Sequence, residues 1–110
     1  MQLAVVEFAR NVLGLSQAAS EELVKEGEHP IIHMMADQRG AKVGASMRLG
    51  GYPCSLTKGT KAWQAYGGVS AVVERHRHRY EFNNSYREAC EKKGMVFSGE
   101  SPNKALVEVV

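Results

Sequence analysis

Apolar residues recur at helical spacing over the first thirteen positions. Leu3, Val6, Ala9 and Leu13 form one stripe, and Val5, Phe8 and Val12 nearly fill a second. That pattern predicts a helix over 1–13, apolar on most sides and suited to burial against a sheet. It starts without a capping residue, and Gly14 is its expected stop. Ser20 reads as the cap of a short helix over 20–26, with Glu21 and Glu22 in its first turn and Gly27 after it. His29-Pro30 breaks any helix, so 31–35 is predicted as a strand. A loop over 38–44 follows, then extended segments over 46–56 interrupted by Gly50-Gly51 and Pro53.

Residues 60–66 fit one or two helical turns closed by Gly67-Gly68. A strand over 69–73 leads into a strict alternation of arginine and histidine. One of Asn83, Asn84 or Ser85 then caps a helix whose expected buried face is Tyr86, Ala89, Cys90 and the stem of Lys93, stopped by Gly94. Residues 95–98 and 105–110 are the last two predicted strands. Strands and helices alternate loosely, which predicts an α/β fold: a mixed sheet with flanking helices and some antiparallel pairing.

Composition adds bounds. With 110 residues there is room for one small domain and little room for two. The formal net charge of +2 argues against a polybasic nucleic-acid binder. No apolar run approaches the roughly 18–20 residues that span a bilayer, and no secretory signal is evident, so a cytoplasmic location is expected. The two cysteines, Cys54 and Cys90, are widely separated and lack a Cys-x-x-Cys spacing. They read as inert free thiols rather than a disulfide or nucleophiles.

The chemistry concentrates in Glu74-Arg75-His76-Arg77-His78-Arg79-Tyr80-Glu81-Phe82-Asn83-Asn84. In an extended segment, Arg75, Arg77 and Arg79 share one face and His76 and His78 the other. Three guanidinium forks suit carboxylate or phosphate, so an anion-binding site follows from residue types alone. Taken singly, Arg79 is equally suited to a surface salt bridge with Glu74 or Glu81, and Glu22 to a solvated position in a first turn. Metal binding through His76 and His78, or His29 and His33, is the weaker reading, because neither pair has an acid or cysteine in a ligand pattern. Nucleic-acid stacking on Tyr80 and Phe82 is disfavoured by the low net charge and the 7% aromatic content.

The same eleven residues resemble the signature of the CTP synthase family, in its C-terminal class I glutamine amidotransferase domain. Further stretches resemble that domain in the same order: the opening 1–10, Met47-Arg48-Leu49-Gly50, Tyr52-Pro53-Cys54, Phe97-Ser98-Gly99-Glu100-Ser101-Pro102 and Leu106-Val107-Glu108-Val109-Val110. The resemblance runs the whole length of the chain. It implies that 1–110 is a partial glutamine amidotransferase domain of flavodoxin-like type. The family pattern Gly-Ile-Cys-Leu-Gly-Met-Gln enters this chain at Met1, and the family's Phe-His-Pro-Glu-Phe motif is not matched within it. By the resemblance, then, the Cys-His-Glu triad is carried by segments other than these.

The resemblance assigns glutamine binding to Met1 and Gln2 in the turn, Glu22 toward the α-amino group and Arg79 toward the α-carboxylate. The family's Asn-Ser-Thr-Glu-Phe corresponds here to Ala19-Ser20-Glu21-Glu22-Leu23, which leaves Glu21 as the alternative acid. The family's Leu-Gly-Gly-Thr is replaced by Val43-Gly44-Ala45-Ser46, after a shortened 37–42 loop. For the intact enzyme the resemblance implies CTP formation from UTP, with ATP and Mg2+ as cofactors, GTP as activator and ammonia from glutamine. It also implies a synthetase domain as partner and a homotetramer. The competing expectation is a non-catalytic binding or interaction module derived from the same domain.

Overall fold

The computed structural model describes residues 1–35 and 48–110. The predicted loop over 38–44, the replaced stretch 43–46 and Met47 lie outside the described residues. The chain divides into two compact units: 1–35 with 78–95, and 48–77 with 96–110.

In the first unit, helix α1 spans Gln2–Asn11 and buries Val5, Val6 and Ala9. Burial takes one edge of each expected stripe and leaves Leu3 71% exposed. Beyond the helix the chain reverses at Gly14, whose φ of 75° lies where a side chain would be strained. Strand β1 (Ala18–Ser20) runs parallel to β2 (His29–Met34), and β2 pairs antiparallel with β5 (Tyr80–Phe82). Ile31, Ile32 and Phe82 fill the core of this sheet. The unit thus contains the expected mixture of parallel and antiparallel pairing.

The helix expected over 20–26 is absent, and turns occupy 21–23 and 25–26 instead. Ser20 does act as a local acceptor, but through a turn: its hydroxyl accepts from Glu22 N–H at 3.2 Å. Its carbonyl accepts from the N–H groups of Leu23 and Val24, while Glu21 N–H goes to Ile32 of the neighbouring strand. Serine offering the backbone a local partner, with a sheet bond taken by the next residue, outcompetes helix propagation.

Asn83 caps the following helical segment by accepting from Ser85 N–H at 3.1 Å. A single 3₁₀ turn (Asn84–Tyr86) leads into α3 (Arg87–Lys92), and Gly94, with φ 93°, ends it as expected. Only Cys90 of the predicted face is buried; Tyr86 is half-buried, and Ala89 and Lys93 are exposed. A helix of under two turns offers the core one residue rather than a stripe.

In the second unit the sheet order is β4 (Ala71–His78), β3 (Arg48–Leu56), β6 (Gly99–Glu100), β7 (Val107–Val109). Strand β4 hands the chain to the first unit at His78. Strand β3 runs unbroken through Gly50-Gly51 and Pro53, the positions expected to interrupt it. Gly51 is required there, because a Cβ would come within 2.9 Å of Val73. Pro53 is tolerated because β6 pairs only with Ser55 and Leu56, leaving that side of Pro53 free of it. Thr60 caps α2 (Lys61–Ala65), accepting from Trp63 N–H. Of the strand expected over 95–98, no residue is in a strand, although Ser98 N–H still reaches Val109 O at 3.0 Å.

The tightest of the described glycine positions is Gly99, where a Cβ would stand 2.8 Å from both Cys54 Sγ and Val109 Cγ2. Gly99→Ala is expected to destabilise the protein by about 1–3 kcal/mol through overpacking. Urea unfolding followed by the fluorescence of the single tryptophan, Trp63, measures this. An unchanged midpoint would show that β6 and β7 can part without cost.

Candidate functional site

The first unit brings Met1, Gln2 and Glu22 together, with Leu3, Ala4 and Leu23, around an open pocket of about 450 Å³. Gln2 occupies the first helical position of α1, and Glu22 the turn after β1. Their side chains meet: Gln2 Nε2 donates to Glu22 Oε2 at 2.6 Å. Gln2 Oε1 accepts from the Ser20 hydroxyl at 2.7 Å. Glu22 is exposed, so its carboxylate faces solvent at the pocket rim.

Glu21, the alternative acid, is turned elsewhere. Its Oε2 accepts from Met34 N–H of β2 at 2.7 Å. With Lys25, Met34 and Tyr80 it lines a second, smaller pocket of about 190 Å³. Side by side in sequence, the two acids have different partners because the turn sends them in different directions.

Alternation along β4 holds for two arginines and fails for the third. Arg75 and Arg77 are exposed, while His76 between them is buried. Arg79 is not on that face, because β4 ends at His78 and the chain bends before β5. Arg79 is half-buried, and its carbonyl accepts from Met35 N–H at 3.2 Å. Its guanidinium enters no ion pair among the described residues, so neither Glu74 nor Glu81 takes it as the sequence allowed. Arg79 does not line the pocket of Met1, Gln2 and Glu22.

His78 Nδ1 lies 3.1 Å from Tyr80 O and 3.3 Å from the buried Glu81 carboxylate. His29 meets Tyr86 edge-on and lies 3.7 Å from Glu28. His33 stands opposite Glu81 in the β2–β5 register. Phe82 is 2% exposed and cannot serve as a stacking platform.

The second unit holds a buried polar network that the sequence pattern did not single out as such. Arg48 Nη1 donates to Glu108 Oε1 at 2.5 Å and lies 3.3 Å from His76 Nδ1. His76 Nδ1 is 3.4 Å from the other Glu108 oxygen. The Arg48 guanidinium sits over the Tyr52 ring, 4.4 Å from its centroid, and Tyr52 meets His76 edge-on at 5.5 Å. The signal was there to be used: a glutamate inside the apolar run 106–110 and an arginine opening a strand are charges that burial forces to pair.

No family model matches the chain. CTP synthase of Rubrobacter xylanophilus is 58% identical over 109 residues, 99% of this chain. CTP synthase of Lactiplantibacillus plantarum is 58% identical over 111 residues, the whole chain. The chain spans about a fifth of the length of these relatives, 20% and 21%. Among solved structures, the glutaminase domain of Trypanosoma brucei CTP synthase with bound acivicin superposes with a TM-score of 0.86 at 40% identity. That match covers 97% of this chain and 42% of the other. The chain belongs to the CTP synthase family and matches part of its glutaminase domain.

In this CTP synthase segment the motif residues therefore divide by role. Arg48, Tyr52, His76 and Glu108 are spent on internal packing, whereas Glu22 is exposed and the Arg79 guanidinium has no ion pair among the described residues. Cys54 and Cys90 are free and buried. Burial, and then the Glu108 and Glu74 carboxylates, push the Cys54 thiol up; burial, and then Glu91, push Cys90 up.

Two outcomes follow for this CTP synthase segment. Both thiols should react with a disulfide reagent far more slowly in the native chain than in denaturant. Because their folded values are raised, their contribution to stability is complete below the ordinary thiol value of 9.0 and is lost as pH climbs through the folded values. Unfolding midpoints measured from pH 7 to 10 in wild type and Cys54→Ala test the sign. Glu108→Gln leaves the Arg48 cation buried without its counter-charge, at an expected cost of about 3–5 kcal/mol in urea unfolding.

Proposed function

We propose that this chain contributes the amino-acid-binding part of a CTP synthase glutaminase site, with L-glutamine as the ligand. The observation that carries the reading is the Gln2–Glu22 pair at the rim of the pocket that Met1 also lines. Glu22 spends one carboxylate oxygen on Gln2, and its other oxygen has no partner among the described residues. An exposed carboxylate oxygen held in place is suited to an α-ammonium group. The Arg79 donor fork enters no ion pair among the described residues, and its planar shape suits an α-carboxylate. The Trypanosoma brucei glutaminase domain, 42% of which this chain matches, binds the small molecule acivicin, which supports a small-molecule site in such a domain.

Of the two acids, Glu22 is the one we assign to glutamine, since Glu21 is already bonded to the β2 backbone. The Cys-His-Glu triad is proposed to reside in other segments of the enzyme, so that these 110 residues bind and orient glutamine without cleaving it. At the level of the whole enzyme, we extend the reading to CTP formation from UTP with ATP, Mg2+ and GTP. Ammonia would then pass to a synthetase domain within a homotetramer.

Calorimetric titration of the chain with L-glutamine tests the proposal. Arg79→Ala and Glu22→Gln should each weaken binding about tenfold or more, as loss of a charged hydrogen-bond partner does. Glu21→Gln should leave it within about twofold. Equal losses at Glu21 and Glu22 would overturn the assignment. Ammonia release from glutamine by the purified chain should be undetectable, and activity above a no-protein blank would place the nucleophile within it.

A further inference from the structure

Ser20 is the residue through which both Gln2 and Glu22 are held, and nothing in its sequence context marked it as more than a helix cap. It is 1% exposed. It ends β1 at the point where the β1–β2 register slips, between Ala19 and Ser20. The slip ends regular pairing and turns the chain, and the Ser20 carbonyl holds that turn by accepting from Leu23 and Val24.

The hydrogen-bond directions around Ser20 can be fixed by elimination. Its Oγ accepts from Glu22 N–H at 3.2 Å, a group that can only donate. Its hydroxyl donates to Gln2 Oε1, 2.7 Å away. Gln2 must then present its NH2 to Glu22 Oε2, at 2.6 Å, and an ionised carboxylate accepts only. Reversing the Gln2 amide would set its oxygen against the Glu22 carboxylate, so the acceptor-only carboxylate fixes the direction of the whole chain of bonds.

We propose that Ser20 is a positioning residue for glutamine binding. It orients the Gln2 amide and, through it, the Glu22 carboxylate, so that the second Glu22 oxygen faces the ligand ammonium. This rests on the glutamine reading above for its ligand, but the orientation of Gln2 and Glu22 by Ser20 stands or falls separately. The hydroxyl need not touch glutamine. It removes the freedom of a long amide and a long carboxylate before the ligand arrives, so less ordering remains to be done on binding.

The test combines nitrogen–proton correlation spectra of the 110-residue chain with calorimetry. The Gln2 side-chain amide pair, identified by its loss in Gln2→Ala, should be displaced from those of the exposed Gln17 and Gln64. This first readout needs no variant at Ser20. Ser20→Ala should move the Gln2 pair toward the exposed positions and weaken L-glutamine binding about fivefold, the loss of one hydrogen bond. Ser20→Thr, which keeps the hydroxyl, should restore both.

If wild type binds no glutamine yet the Gln2 signals respond to Ser20→Ala as expected, the positioning role holds and the glutamine assignment fails. Wild-type Gln2 signals coinciding with those of Gln17 and Gln64 would overturn the proposal. So would an unchanged spectrum and unchanged affinity in Ser20→Ala.

Discussion

A carboxylate left 2% exposed needs a partner, and the partner of Glu108 organises the second unit. An isolated buried carboxylate would cost several kcal/mol, far more than a small sheet can absorb. Arg48 opens β3 and Glu108 lies in β7, so their bond ties strands that are not neighbours in the sheet order. His76 of β4 and Tyr52 of β3 close around the pair, one by hydrogen bonding and one by offering its ring face. Strand pairing alone is sparse here: β6 matches only two residues of β3. The ion network supplies the cross-links that short strands cannot, and it explains why charged residues sit in otherwise apolar stretches.

The first unit relies on a different device. Its apolar core is conventional, with Ile31, Ile32, Phe82, Val5 and Ala9 buried. What shapes its surface is the irregularity at Ser20, where a strand ends, the register slips and a turn begins. Two adjacent glutamates leave that turn in different directions, one toward the β2 backbone and one toward Gln2. A regular helix over 20–26 would have kept both acids on one solvated first turn. The failure of that helix to form therefore creates the arrangement assigned to ligand binding.

The Arg/His row shows how a motif can carry several jobs at once. His76 is buried in the ion network, Arg75 and Arg77 face out from β4, and His78 and Arg79 belong to the bend into β5. One alternating run thus contributes a core residue, a basic outer face and a guanidinium with no ion pair among the described residues. The residues that look most like a binding motif are for the most part structural, and Arg79 is the one among them to which the proposal gives a ligand.

Local sequence determined what local forces control: α1 with its stop at Gly14, the Ile31-Ile32 centre of β2, α2 capped by Thr60, and the Asn83 cap and Gly94 stop around α3. The period-two alternation also foretold that His76 would lie on the face opposite Arg75 and Arg77. Motif order pointed to the family and to Met1, Gln2, Glu22 and Arg79 as positions of interest. Tertiary structure decided the rest. Whether 20–26 coils or turns depends on β2 taking the Glu21 N–H. Whether β3 survives Pro53 depends on how far β6 reaches. That Glu108 pairs with Arg48, sixty residues away, is set by strand order, which no local pattern encodes. Hydrogen bonds and buried charges are satisfied by whatever the fold brings near, so their partners become known only when the chain has closed on itself.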